Sequence, residues 1–268
     1  MNNMRKSIIM VLGAVATAAA FGAVTGTITT ENGDSLKGVI RWSARDKAYA
    51  VAKGNTEIQV KPIDVAELDI DKPAGYDAAI EKISKGQGAA AAADLQKIVK
   101  EYQHLQWDKL AGRYLAEAYV AAGKPSDALS ACQDIIKADP DAAFKGDLAP
   151  AYWSALLALD KKNALNSALE KAAKGEDAFS RGAALIMRGD IVLKEGKESN
   201  DAAKQALLDG YLRVVYLYNA DREVAAKLQP EALYKAALCF EKLGQSGRAD
   251  FMRTELKRTY ASSPWESK

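Results

Sequence analysis

The sequence has little of what enzymes most often use. Its 268 residues include one histidine, His104, and two cysteines, Cys132 and Cys239. Zinc takes three or four ligands at set spacings, and this set does not supply them. There is no G-x-S-x-G string, no phosphate loop and no dinucleotide fingerprint. His104 lies beside Tyr102 and Trp107 with no nucleophile placed with it, so it reads as a packed or capping residue. The expectation is no catalytic residue, no metal and no cofactor. Both cysteines sit in apolar helical patterns and read as buried free thiols acting as small hydrophobes. Aromatics are scarce too, at 7% against 49% hydrophobic residues. Much of that apolar content is alanine, the best helix former and the one that lets helices approach closely.

The first residues carry Arg5 and Lys6, then an apolar run from Ile8 to Phe21, then small residues around Ala18, Ala20, Gly22 and Ala23. This pattern is that of a secretory signal peptide, residues 1–23, cut near 20–23. The apolar run is short for a membrane span. No cysteine near the cleavage zone marks a lipoprotein. The expected location is periplasmic or secreted, with no integral membrane segment after cleavage. Cleavage takes the 37 basic residues to 35, equal to the 35 acidic ones. A neutral chain without a basic block argues against nucleic acid or anionic membrane as the main partner.

From Val24 to about Ile70 the pattern has period two, broken by short turn signals. Five strands are expected at TGTITT, SLKGVIRW, KAYAVA, TEIQVK and VAELDI, with ENGD, SARD and KGN as turns. Five short strands in this length suggest a small barrel. Gly26 to Ile40 and Ile58 to Leu68 resemble SH3-like or Sm-like β modules at the front of bacterial envelope proteins. Arg41, Arg45 and Lys47 make a modest basic spot near Trp42 and Tyr49, which reads as a solvated turn rather than an RNA site. Glu67, Asp69 and Asp71 alternate on one strand, the ordinary look of a solvated face without a calcium loop.

After Asp71-Lys72-Pro73-Ala74-Gly75 the pattern is helical to the end. Residues 110–140, LAGRYLAEAYVAAGKPSDALSACQDIIKADP, hold Leu115, Ala116, Tyr119, a turn at Gly123, then Ala128, Leu129, Cys132 and a closing Pro140. This stretch resembles one tetratricopeptide unit, with Cys132 where an aromatic is usual and Gly112 where tryptophan is usual. Small residues let the paired helices touch, and large ones fill the space between successive pairs. Weaker units follow Gly86; Tyr152 to Ala168 with a turn at Lys161–Asn163; Gly189 to Gly196; and Leu233 to Ala249. The turn glycines 86, 123 and 196 are spaced for units of about 37 residues. The longer gap to Gly244 implies an insertion around KESNDAAK or NADREVAAKLQP. The endings KIVKEYQ, YLRVVYLY and ELKRTYASSPW resemble repeats of periplasmic proteins associated with the Tol–Pal system and outer-membrane assembly.

The expected fold is therefore mainly α with a small β domain. It is an α-solenoid of about five tetratricopeptide-like helical hairpins, residues 72–268, preceded by a five-stranded small β barrel, residues 24–71. The resemblance implies a groove lined by the first helices, with Tyr76, Arg113, Glu117, Trp153, Asp190, Tyr234 and Glu241 at or near it. Aromatics among charges of both signs suit a protein or peptide partner. The implied function is a non-catalytic envelope scaffold or adaptor. The alternative is a self-associating, homo-oligomeric structural protein with the β module as the main recognition element.

Overall fold

The computed structural model describes residues 23–54 and 56–266. The signal-peptide reading thus falls almost wholly outside the described residues.

The period-two stretch folds as β1 (Thr25–Thr30), β2 (Ser35–Ser43), β3 (Ala48–Lys53), β4 (Thr56–Val60) and β5 (Val65–Ile70). All pairings are antiparallel, in the order β4-β3-β2-β1-β5. The first turn is built as the Asn32-Gly33 pair suggests, with Gly33 at φ 86° and its N–H donating to the Thr30 carbonyl at 2.8 Å. Gly26 and Gly38 face each other across β1 and β2. Side chains there would strike the neighbouring strands, since a Cβ at Gly26 would lie 2.4 Å from the Asp69 carbonyl oxygen and one at Gly38 2.3 Å from that of Ala52.

The expected barrel is corrected to an open sheet. Strands β4 and β5 are its two edges and do not pair. The residues between them cross to the far side, where Glu31 N–H donates to the Asp64 carbonyl at 2.9 Å, and β5 then pairs with β1. The apolar face of Ile28, Ile40, Val51, Val60 and Ile70 is completed by Leu105, with Tyr102 and Trp107 packed around it. The Trp107 indole N–H donates to the Ile70 carbonyl at 2.9 Å. A residue from the helical part thus supplies the cover that closure of the sheet would have given, as a core this small requires.

The helical part forms successive hairpins. They are α1 (Tyr76–Ser84) with α2 (Gly88–Glu101), α3 (Trp107–Ala121) with α4 (Pro125–Ala138), and α5 (Ala149–Ala158) with α6 (Lys162–Lys174). Next come α7 (Ala178–Glu195) with a run made of α8 (Asn200–Ala206), a π-helical turn (Leu207–Tyr211) and α9 (Leu212–Leu217). Last are α10 (Arg222–Lys242) and α11 (Ser246–Thr259). The reversals use left-handed residues at Gly86, Gly123, Asp160, Lys197 with Glu198, and Gly244. Glycine takes that conformation freely and aspartate tolerates it, which is why the third turn has no glycine signal. That turn falls at Asp160, not at Lys161–Asn163, because Lys162 already opens α6. The extra residues of the fourth and fifth units lie in the second helical run and in the long α10. KESNDAAK spans the turn and the start of α8, and REVAAKLQP of the second expected place opens α10.

The described chain divides into two compact units. One runs up to Lys82 and from Ala89 to Leu115; the other comprises Ile83–Gly88 and everything from Ala116. The secondary structure changes from strand to helix near Ile70, whereas the compact units divide inside α3. The main core of the second unit gathers Trp153, Leu156, Leu165, Leu169, Tyr211, Val214, Leu233 and Phe240. Cys132 and Cys239 are buried and unbridged, and desolvation pushes their thiols up to about 12 and about 11.

Candidate functional site

The second unit places a charged network where α7, α10 and the π-helical turn meet. A π-turn accommodates one more residue than the α-helical ladder and often sits at a functional site. Here it brings Gly210 against α7, where a Cβ would lie 2.9 Å from the Leu185 carbonyl oxygen and 3.1 Å from Gly189 Cα. The next residue, Tyr211, is fully buried beneath Gly189, whose own Cβ would meet the Tyr211 ring at 2.6 Å. The two glycines therefore open the space that the tyrosine fills. Its hydroxyl donates to Asp190 Oδ1 at 2.7 Å.

Asp190 in turn accepts from Lys235 Nζ on α10, at 2.8 Å to Oδ1 and 2.6 Å to Oδ2. Glu231, one helical turn before Lys235, takes the same ammonium at 2.6 Å. Two carboxylates thus share one cation, with side-chain exposures of 19% for Lys235 and 22% for Asp190. Desolvation lowers the lysine's proton affinity, and Glu231 and Asp190 more than offset it, so Lys235 stays charged above the usual lysine range. Burial lifts the Asp190 carboxyl above the usual carboxylate range, and Lys235 and Tyr211 pull it back only in part.

An aromatic layer covers this network. The Trp265 ring lies 5.4 Å from that of Tyr234, tilted by 43°, and 5.9 Å from Lys235 Nζ. The stretch leading to it is anchored by Tyr260, whose hydroxyl donates to Gln229 Oε1 at 2.7 Å. The Gln229 amide is buried and donates to the Val215 carbonyl at 3.1 Å.

Of the seven residues expected at the groove, Asp190 and Tyr234 belong to this cluster. Glu241, further along α10, pairs with Arg253 of α11 at 2.7 Å. Glu117 is half-buried on α3. In the first unit the Arg113 guanidinium lies 4.2 Å from the Tyr114 ring centre. Two expectations are corrected, because Trp153 is fully buried and Tyr76 is 7% exposed. Trp153 fills the core and donates its indole N–H to the Ala143 carbonyl at 2.9 Å. Tyr76 packs edge-on to Trp107 and Tyr114. A shift of one position on a helix turns a residue by about 100°, enough to exchange groove for core. Sequence reasoning missed Glu231, Lys235, Tyr211 and Trp265. The Glu231–Lys235 pair at i,i+4 was the one readable signal.

Elsewhere Arg41, His104 and Asp71 among the polar candidates have partners. Arg41 of the basic spot is held by both Glu57 oxygens at 2.8 Å, and Trp42 packs on Tyr49 and on His104. His104 is exposed and takes a left-handed conformation, φ 64°, with its backbone N–H donating to Asp108 Oδ2 at 2.7 Å. Asp71 accepts from the Thr25 hydroxyl. Among the described residues no three or more His, Cys, Asp or Glu side chains gather as metal ligands would. Among them also, no helix is long and apolar enough to cross a membrane.

A family model described as tetratricopeptide repeat matches residues 111–142 and 231–263. The chain carries tetratricopeptide repeats. The first match holds most of α3 and all of α4, and the second holds Glu231, Tyr234, Lys235 and Glu241 together with α11. No curated protein and no solved structure matches the chain. Tetratricopeptide repeats are interaction modules, generally without catalysis, and they imply protein partners.

Proposed function

We propose that this protein is a non-catalytic, exported scaffold or adaptor of the bacterial cell envelope that binds a protein or peptide partner. Binding uses the first-helix faces of its repeats, at Arg113 in the first unit and at Glu117, Asp190, Tyr234 and Glu241 in the second. The observation that carries this reading is the match of the second repeat model to α10, where the Tyr234 ring and the fixed charge of Lys235 both lie against the Trp265 ring. A rigid aromatic beside a desolvated ion pair is the composition of an interface anchor. Export is supported by the charge, apolar-run and small-residue pattern of residues 1–23. The Tol–Pal-like endings of the repeats support an envelope role.

Crosslinking in the native envelope followed by mass spectrometry tests it. Wild type yields specific partner crosslinks, and Arg113→Glu, Glu117→Lys and Glu241→Lys reduce them with circular dichroism unchanged. If all three variants keep every partner, the face has been misassigned. A second reading, self-association, draws on Leu208, Tyr216 and Leu217, which are 57%, 62% and 63% exposed. Light scattering that shows a monomer removes it.

A further inference from the structure

The residues after α11 do not leave the repeat. They wind into a short turn in which Ser263 N–H donates to the Tyr260 carbonyl at 2.8 Å and Glu266 N–H to the Ser263 carbonyl at 3.0 Å. Trp265 N–H donates to Ser263 Oγ at 3.2 Å. This local turn holds the Trp265 indole out to one side, and the indole settles on Tyr234 and Lys235 of α10.

We propose that this face of α10 and α7 is a recognition site for a peptide segment that presents tryptophan after a small, hydroxyl-rich, proline-containing turn. In the free protein Ala261–Glu266 occupies it in cis. The inference rests on the interaction reading above and names the chemistry of the ligand at that face.

Three features make the site select an aromatic ring. Asp190 and Glu231, each at 2.6 Å, hold the Lys235 ammonium in place, and it lies 5.9 Å from the Trp265 ring centre, within cation–π range. Tyr234 supplies the second aromatic surface, in the tilted arrangement that ring pairs favour. Tyr211, locked under Gly189, fixes Asp190 and through it Lys235, so the platform is organised before any ligand arrives. The cis segment comes from the same chain and is half-buried at Trp265. A segment of the same chemistry from a partner competes for the same place, and its apparent affinity falls with the fraction of time the face is covered.

The test uses full-length protein and a fluorescein-labelled synthetic peptide, ASSPWE, followed by fluorescence anisotropy. The Trp265→Ala protein should bind the peptide about tenfold more tightly than wild type, which keeps its own tryptophan in place. A peptide with alanine for tryptophan should bind neither protein. Tyr234→Ala added to Trp265→Ala should abolish binding, with circular dichroism confirming the fold. Equal affinities for wild type and Trp265→Ala, or no binding to either at millimolar protein, overturn the proposal. So does a wild-type dimer that Trp265→Ala converts to a monomer, because the segment would then be exchanged between two copies. If the peptide fails while the Arg113, Glu117 and Glu241 variants lose envelope crosslinks, this inference falls and the scaffold reading stands. If the peptide binds as described but the crosslinks are unaffected, the first-helix assignment falls and the Trp265 site stands.

Discussion

Replacing Gly210 by alanine isolates the close approach on which the charged network depends. In an exposed helix, alanine is favoured over glycine by about 1 kcal/mol, since it loses less backbone entropy on folding. At Gly210 the added Cβ would stand 2.9 Å from the Leu185 carbonyl oxygen and 3.1 Å from both Gly189 Cα and N. Ordinary carbon contacts lie at about 3.5–4.0 Å. All three obstructing atoms are backbone, so α7 and the helical run from Asn200 to Leu217 must move apart by several tenths of an ångström. Overpacking of this kind costs about 1–3 kcal/mol. The movement also draws the Tyr211 hydroxyl away from Asp190, a hydrogen bond to a charged group worth about 1.5–3 kcal/mol if lost. Together these exceed the propensity gain, and Gly210→Ala should destabilise by about 1.5–5 kcal/mol. The control is Gly247→Ala on α11, where nothing lies within 4 Å of the added carbon. There the helical gain stands alone, and stability should rise by up to about 1 kcal/mol. Urea unfolding followed by circular dichroism reads both midpoints. If Gly210→Ala stabilises as much as Gly247→Ala, the glycine contact is not a constraint, and neither is the placement of Tyr211 derived from it.

Three further outcomes follow from burial and charge. Cys132 and Cys239 have folded-state pKa values raised from 9.0 to about 12 and about 11, so their contribution is complete below pH 9 and is lost as pH rises through those values. Between pH 9 and 11 the thiols should remove stability, at most about 1.4 kcal/mol per pH unit for Cys132 and less for Cys239. Urea midpoints measured across that range should fall less steeply for the Cys132→Ala, Cys239→Ala double variant than for wild type, and equal slopes refute the assignment. Trp153→Ala deletes the largest fully buried side chain and should cost about 3–5 kcal/mol in the same assay; a change below 1 kcal/mol, within the range of ordinary surface substitutions, would place Trp153 outside the core. Lys235→Met leaves Asp190 and Glu231 without their shared cation and should cost about 3–5 kcal/mol at pH 7. Acidification should restore part of it, since the Asp190 carboxyl already titrates above its usual range; a loss that stays constant down to pH 5 argues against an uncompensated carboxylate.

The fold was legible because its signals are local. The alternation through Leu36, Ile40, Tyr49, Val51, Ile58 and Val60 sets the strands within a residue or so of their observed ends. The glycines at 86, 123 and 244 mark three helix reversals. Closure of the sheet was not legible, because it depends on what covers the apolar face. Leu105 and Trp107 provide that cover from beyond the β segment, and no alternation inside residues 24–71 reports on a residue beyond them. The turn at Asp160 escaped for a different reason. Its left-handed residue is one that helices and loops both use, so only the hairpin around it identifies the position.

The candidate site was legible only where side chains act within one helix. The Glu231–Lys235 spacing is visible in the sequence, and Asp190 and Tyr234 follow from the repeat resemblance. Tyr211 is different, because its role depends on the π-turn. An uninterrupted α-helix from Asn200 would turn each later side chain by about 100° per residue, and one extra residue in the ladder redirects everything after Leu207. That redirection sets Tyr211 under Gly189 and Val214 in the core, and leaves Tyr216 and Leu217 exposed. The same extra residue therefore organises the Asp190–Lys235 platform on one side of the helical run and leaves an apolar stripe on the other. Trp265 reaches the platform through a turn made by Ser263, a contact across 31 residues of chain from Tyr234, which neither helical periodicity nor repeat spacing encodes.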